Sequence, residues 1–202
     1  MSTLPTEIQS RLPSLMHPVR KLVFTIRSRD QGWSSGPADH SNPYGHSWTW
    51  FDVGLERFSA DAAYKACAAG DCAHQELYSW APGMGFCNAR TVVPAATEPD
   101  ENGIVAMAHA GSPGSQVLQI NKRAEREVQT HKIVWSWDDD IDPESAEADK
   151  LLIKKGRGKN TATGEFVRSL KTGDMITVWA KARFPGWANH VESITVDVHY
   201  VN

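Results

Sequence analysis

A loop late in the chain combines aromatic rings with hydrogen-bonding side chains over a short distance. Its chemistry-bearing residues are Arg183, Phe184, Trp187, Asn189 and His190. A flat aromatic face beside donors and acceptors is the combination that a sugar needs, because the ring stacks while its hydroxyl groups are held at the edge. We therefore expect a ligand contact here. One alternative stays open, in which both aromatic rings fill the end of the fold.

A second loop of similar character occurs earlier in the chain, at Asp30, Gln31 and Trp33. Gly32 lets the backbone turn sharply between them. If this loop lies at the same end of the fold as the later one, the two supply polar and aromatic groups to one cleft. The alternative is a turn that defines the fold, with Trp33 packed against the sheet.

Four residues between these loops, Asp39, His40, His46 and Asp52, are of types that bind metals or transfer protons. Nothing in their spacing brings them together, and the i, i+4 histidine pair of zinc-binding helices is missing. A cytotoxic or defence enzyme, a metal-dependent hydrolase using His40, His46 and Asp52, is therefore kept as the alternative function.

Two charged segments are interpreted as solvated connections and not as calcium or phosphate sites. Asp138, Asp140 and Asp142 alternate as calcium ligands do, but the glycine and terminal glutamate of an EF-hand do not follow. The basic run 154–159 lacks the order of a Walker phosphate loop. No nucleophile elbow is present. We predict no catalytic residue, no metal and no cofactor, which favours a binding protein over an enzyme.

The composition is that of an ordinary globular chain, with 202 residues, 41% hydrophobic and 22% charged. The net charge of −3 argues against a general nucleic-acid binder. No apolar run approaches the roughly 20 residues of a membrane span, and no secretory signal is visible. The odd count of cysteines, at 67, 72 and 87, favours reduced thiols and a cytoplasmic location. A bridge between Cys67 and Cys72 stays open.

Alternation of apolar and polar residues predicts the strands that position the two loops. Residues 21–27 precede the first loop, with Leu22, Phe24 and Ile26 on one face. Alternating runs at 176–182 and 194–200 flank the second. Other strands are predicted at 47–55, 90–93, 104–108, 117–121, 131–137 and from Glu165 onward, with helices at 59–70 and 143–155.

Strands of this number, mostly antiparallel, favour an all-β fold: an antiparallel β-sandwich of jelly-roll type with a short helical excursion. Residues 1–20 contain three prolines and are interpreted as an N-terminal arm. Residues 21–202 then form a single β-sandwich domain, with an insertion at about 59–114 that decorates the sheet.

Four stretches carry a resemblance to known proteins: 27–35, 47–51, 166–174 and 178–187. They resemble a large group of mostly uncharacterised fungal proteins in which such a module stands alone or follows other domains. A looser similarity is to galactose-binding-like jelly rolls, such as the sugar-binding domains attached to F-box proteins. This resemblance implies a fungal origin, and by loop position it implies that Phe184 and Trp187 contact a glycan.

The residues and the resemblance together predict a non-enzymatic, lectin-like module that binds a carbohydrate or a small polar ligand. Membrane contact and general nucleic-acid binding are not expected. A self-associating structural protein, assembled as a homo-oligomer, is the second alternative. The exposure of Trp33 and Trp187 to solvent separates the binding interpretation from the packing one.

Overall fold

The structure, a computed structural model, describes residues 17–35, 41–58, 89–93 and 117–201. These residues are mostly β-strand with short helical segments, which confirms the all-β prediction. The predicted helix at 59–70, the predicted strand at 104–108, the three cysteines and residues 1–16 lie outside them. No helix in the described ranges has both the length and the apolar character needed to cross a membrane.

The described residues form strands and short helices with these bounds. The strands are β1 Val19–Arg29, β2 Thr49–Phe58, β3 Ala89–Val93, β4 Val117–Ile120, β5 Gln129–Ser136, β6 Met175–Ala182 and β7 His190–Tyr200. Between β5 and β6 lie the helices α1 Ala146–Leu151 and α2 Glu165–Ser169, with 3₁₀ turns at Ile153–Lys155 and Lys159–Ala162.

The first sheet has the order β5-β1-β7, and both pairs are antiparallel. Phe24 of β1 stands opposite Ile133 of β5 and Val196 of β7. Alternate residues of β1, namely Leu22, Phe24 and Ile26, are fully buried, as the period-2 pattern of a half-covered strand predicts. The prediction for this strand is therefore confirmed, with two further residues at each end.

The second sheet is centred on β2, which pairs antiparallel with β3 and β4 and also pairs with β6. The neighbouring residues Trp50 and Phe51 of β2 are both buried, as are Val53 and Leu55. Side chains of adjacent strand residues point to opposite faces. Trp50 and Phe51 are thus covered on opposite faces of the strand.

The chain groups into two compact units. The first comprises Met1–Val53, Ala110–Thr172 and Val178–Asn202, and the second comprises Gly54–His109 and Gly173–Thr177. Within the second unit, Arg57 forms a two-pronged ion pair with Asp174, with N–O distances of 2.8 and 2.7 Å. Every residue of the candidate site described below belongs to the first unit.

Of two predictions between β5 and β6, one is found in shorter form and one is wrong. The helix predicted over 143–155 is found as α1 followed by the 3₁₀ turn Ile153–Lys155, and it begins after Ser145, whose hydroxyl accepts from the Ala148 amide at 3.1 Å. The strand predicted from Glu165 is the helix α2. Its apolar residues Phe166, Val167 and Leu170 are spaced i, i+1, i+4, which is a helical pattern.

Candidate functional site

The two loops predicted to bind a ligand meet in the structure. Arg29, the last residue of β1, is paired with His190, the first residue of β7, so both loops lie at the same end of the first sheet. A Cβ atom built on Gly186 would stand 3.6 Å from Cη2 of Trp33. Because glycine has no side chain, the indole lies directly against the backbone of the later loop.

The aromatic residues of the two loops differ in exposure. Trp33 is 60% exposed and Phe184 is 42% exposed, whereas Trp187 is half-buried. The Trp187 amide donates to the Phe184 carbonyl at 3.1 Å, which closes a tight turn in which Gly186 has a φ of +84°. Trp33 and Phe184 therefore present the open aromatic surface.

Trp48, immediately before β2, extends this surface. Its ring meets that of Phe184 edge-on, with 5.1 Å between centroids. The guanidinium of Arg183 lies 5.0 Å from the Trp48 centroid and 4.9 Å from the Phe184 centroid, which places a cation against both rings. Trp48 was not among the predicted ligand contacts. We call Trp33, Trp48, Arg183 and Phe184 the aromatic rim.

Asp30, predicted as a ligand contact, is fully buried. Its carboxylate accepts from the Gly32 amide at 2.7 Å and from the Ala124 amide at 2.5 Å. Burial raises the pKa of Asp30, and the backbone hydrogen bonds partly oppose that rise. The carboxylate fixes the shape of the Trp33 loop, so its oxygens are already engaged within the protein.

Gln31 bridges the two loops with its side-chain amide. Its Nε2 donates to the Trp33 carbonyl at 2.6 Å, and its Oε1 accepts from the Ala188 amide at 3.4 Å. His190, the remaining polar residue of the later loop, is exposed. Gln31 thus helps to hold the two loops together, and His190 stays accessible to a ligand.

Asn189 anchors the later loop to the interior through side-chain hydrogen bonds. Its Nδ2 donates to the carbonyl of Trp50 at 3.0 Å and to that of Lys181 at 3.3 Å. Its Oδ1 accepts from Asn121 Nδ2 at 2.9 Å. Asn189 was predicted to contact a ligand, and its amide is instead occupied by these internal hydrogen bonds.

Asn121, which follows β4 and is fully buried, links strands of both sheets. Its Oδ1 accepts from the Ser28 hydroxyl of β1 at 2.7 Å. Its Nδ2 donates to the Thr49 hydroxyl of β2 at 3.0 Å as well as to Asn189. A buried network with its members paired is rigid, and this one holds the end of the fold at which both loops lie.

An open pocket of about 300 Å³ adjoins the aromatic rim at Trp48. Its wall includes Asn42, Tyr44, His46, Ser47, Trp48 and Arg157. A turn shapes one side, since the Gly45 amide donates to the Asn42 carbonyl at 3.0 Å. This pocket could not be predicted from the sequence because Arg157 joins the 42–48 loop only through the tertiary fold.

No metal centre is formed by the residues that the structure describes. Within those ranges, no group of three or more His, Cys, Asp or Glu side chains could hold an ion. Asp52 forms an ion pair with Lys181. His46 is exposed at the pocket, and Asp39 and His40 lie outside the described ranges.

The aromatic rim and its pocket can therefore stack a ring and hydrogen-bond its edge, with the supporting loops held by Asp30, Gln31 and Asn189. Comparisons of this chain with protein-family models, with curated proteins and with solved structures find no match.

Proposed function

We propose that this chain is a non-enzymatic, lectin-like module that binds carbohydrate at the aromatic rim. The observation that carries the proposal is Trp33, 60% exposed and next to Gly186, which is in the same loop as the exposed Phe184. An apolar patch held open to water by two fastened loops is typical of an interaction site. The C–H face of a sugar ring would cover such a surface.

Polar groups at the edge of the rim support the same proposal. Arg183 and His190 are exposed beside the rings, and they offer donors and acceptors for sugar hydroxyl groups. The loops are held by Gln31 and Asn189 before any ligand arrives. Preorganisation of this kind lowers the entropy lost on binding.

The proposal also includes the type of β-fold, the source of the chain and its location in the cell. We infer a sandwich of the galactose-binding-like jelly-roll type, supported by antiparallel pairing in both sheets and by the hydrogen bonds that join β1 and β2 through Asn121. The fungal origin comes from the resemblance alone. The cytoplasmic location comes from the odd number of cysteines.

The test compares two exposed aromatic residues. A glycan array identifies the strongest binders, and calorimetry then measures their affinity for the parent chain, for Trp33→Ala and for Tyr200→Ala. Tyr200, at the end of β7, is 67% exposed and lies outside both loops, so it is the matched control. We expect Trp33→Ala to weaken binding by about 10-fold, equivalent to about 1.4 kcal/mol, and Tyr200→Ala to leave it within about 2-fold.

Folding is checked in the same samples by thermal unfolding. Trp33→Ala should unfold close to the parent because the ring is more exposed than buried. An array without a binder would overturn the proposal. So would affinities that Trp33→Ala leaves unchanged.

A second candidate function, self-association, is favoured by β7. Within the described residues this 11-residue strand pairs only with β1. Val191, Val198 and Tyr200 are 40%, 43% and 67% exposed along it. A long strand edge with exposed apolar residues is a template for pairing with a second copy.

Sedimentation velocity over about a hundredfold range of concentration tests this candidate. Self-association through β7 would give a mass that rises with concentration, and Val191→Lys would lower that rise by placing a charge at the edge. A monomeric mass at every concentration would eliminate the candidate, while leaving glycan binding to its own test.

A further inference from the structure

The pocket beside the aromatic rim contains two polar atoms that no other described residue satisfies. Ser47 is 3% exposed, and its hydroxyl is buried without a hydrogen-bond partner in the described part of the chain. Nε of Arg157 is likewise buried and unpartnered there. Unpaired buried polar atoms are costly and uncommon in native proteins. Both residues line the pocket, which suggests that a ligand pairs with them.

The pocket also carries the positive charge of Arg157, which has no carboxylate partner among the residues that the structure describes. Arg157 keeps its charge at every physiological pH, and its Nη2 donates to the carbonyl of Lys132 at 2.8 Å, a neutral acceptor. Among the described residues that line the pocket, none is an aspartate or a glutamate. A guanidinium without a carboxylate partner is best matched by an oxyanion.

Aromatic walls give the pocket a shape suited to a ring. A Cβ atom on Gly156, where φ is +72°, would come within 2.5 Å of Cδ1 of Tyr44, so only glycine lets that ring lie so close to the backbone. Trp48 forms the wall shared with the aromatic rim. The volume of about 300 Å³ is at the lower end for small-ligand pockets.

The backbone at the pocket is strained as well. His46 has a φ of +55°, a left-handed conformation that residues other than glycine seldom adopt. Strain of this kind persists where the surrounding structure enforces it, and it clusters at ligand sites. The Ser47 amide that follows donates to the Tyr44 carbonyl at 3.3 Å, which helps to hold the turn.

We propose that this pocket binds the carboxylate or sulfate group of an acidic sugar residue, while the adjoining sugar stacks on the aromatic rim. The inference rests on the proposed glycan-binding function and names its ligand class. Arg157 and Ser47 donate to the oxyanion, and Tyr44 and Trp48 flank the sugar ring. Both unpartnered atoms belong to side chains that line the pocket.

The probes are matched oligosaccharides that differ only in charge. An oligogalacturonate is compared with its methyl-esterified form, and a sulfated galactan oligosaccharide with its desulfated form, by calorimetry on the full chain. The acidic member of at least one pair should bind about 10-fold tighter or more, and that ratio should shrink as salt is raised. Which pair responds distinguishes carboxylate from sulfate. The affinities of inorganic sulfate and of inorganic phosphate, each measured alone, show whether the chain binds free anions.

Three variants test whether the preference for acidic probes depends on this pocket. Arg157→Gln should abolish the preference for the acidic probes, and Arg157→Lys, which keeps the charge, should retain part of it. Ser47→Ala should lower the affinity for the acidic probe by about 3-fold or more. If Arg157→Gln does not fold, Ser47→Ala and the salt dependence still decide the question.

The outcomes separate this inference from the function on which it rests. Neutral probes that bind as tightly as acidic ones would overturn the inference and leave glycan binding standing. An acidic preference unaffected by Arg157→Gln and Ser47→Ala would overturn the assignment to this pocket. Free sulfate or phosphate that binds as tightly as the acidic oligosaccharides would identify an anion site without sugar recognition. Failure of all four oligosaccharides to bind would overturn the inference, while glycan binding itself is decided by the array.

Discussion

The indole of Trp33 lies against the backbone of Gly186, close enough that a Cβ atom there would stand 3.6 Å from its Cη2 atom. Gly186 also has a φ of +84°, in the left-handed region. The backbone conformation therefore favours glycine at this position, whereas a Cβ atom would make an ordinary van der Waals contact with the indole, and only a larger side chain would meet the ring. The contact joins two loops that are far apart in the sequence, and it can be tested directly.

We expect Gly186→Asn to weaken glycan binding. Asparagine tolerates the left-handed conformation better than most residues, so the free energy of unfolding should fall by less than about 1 kcal/mol. The amide beyond its Cβ atom would compete with the Trp33 ring for space. We expect calorimetry to show roughly 3-fold to 10-fold lower affinity for the best array glycan, equivalent to about 0.7–1.4 kcal/mol.

Gly173→Asn is the matched control for that change. Gly173 has a φ of +90°, and no described atom lies within 4 Å of the position that its Cβ would take. The same backbone strain is therefore introduced without touching the indole. Equal affinities for the two variants would show that the contact between Trp33 and Gly186 does not shape the site.

Asn121→Leu should destabilise the fold strongly. The change keeps the approximate volume but leaves Ser28, Thr49 and Asn189 without the partner that each now has. At about 1 kcal/mol or more for each lost hydrogen bond, urea unfolding should show a decrease of about 3 kcal/mol. The control is Gln129→Leu, at a half-buried amide on β5, which should lower the free energy of unfolding by less than about 1 kcal/mol. Similar losses for both variants would contradict the assigned role of Asn121.

Ser47→Ala should leave stability unchanged or raise it by up to about 1 kcal/mol, because the buried hydroxyl that is removed has no partner in the described part of the chain. Thr49→Val is the matched comparison. Thr49 is fully buried, and its hydroxyl accepts from Asn121. Removing that hydroxyl should lower the free energy of unfolding by about 1–2 kcal/mol. Chemical denaturation measures both. A loss for Ser47→Ala as large as that for Thr49→Val would mean that the Ser47 hydroxyl is paired.

His131 should make the protein less stable in mild acid. Burial, with smaller contributions from the charges of Lys122 and Arg157, lowers the pKa of His131 from 6.5 to about 4. Between about pH 6.5 and pH 4, the unfolded chain therefore binds a proton at His131 that the folded chain does not bind. The stability contribution is complete above about pH 6.5 and is lost as the pH falls toward 4. It amounts to about 3 kcal/mol, since one pKa unit corresponds to about 1.4 kcal/mol.

The measurement is urea unfolding of the parent and of His131→Phe at pH 7.5 and pH 4.5. His131→Phe should lose less stability between the two pH values than the parent does. His199→Phe, at an exposed histidine on β7, should behave as the parent. Equal acid sensitivity in His131→Phe and the parent would show that another group is responsible.

Strands with one covered face could be predicted from the sequence. The most deeply buried residues of β1 and β5 alternate, at Leu22, Phe24 and Ile26 and at His131, Ile133 and Trp135, because burial on one side favours a period of two, although Val23 of β1 is buried as well. The segment after Gly164 could not be assigned so easily. Its helix α2 has only five residues, which is too short for a helical period to be distinguished from a strand by pattern alone.

The meeting of the two aromatic loops depends on the pairing of β1 with β7 at Arg29 and His190, which the alternation of the two strands does not specify. The roles of Asp30 and Asn189 could not be predicted from the sequence either. A loop carboxylate or amide bonds equally well to a ligand or to nearby backbone groups, and only the fold decides between these. The pocket was missed for a related reason, since Arg157 reaches the 42–48 loop from a distant part of the chain.

The fastening of the later loop through Asn189 has a consequence for how this surface can change. Its anchoring bonds run from the Asn189 side chain to main-chain carbonyl groups and Asn121, and none of them involves the side chains of Arg183 or Phe184. Phe184 and Trp33 can therefore be exchanged while the hydrogen bonds of Asn189 are kept. Randomising these two codons should yield a library of well-folded variants with altered ligand preferences, as in an antibody loop on a constant scaffold.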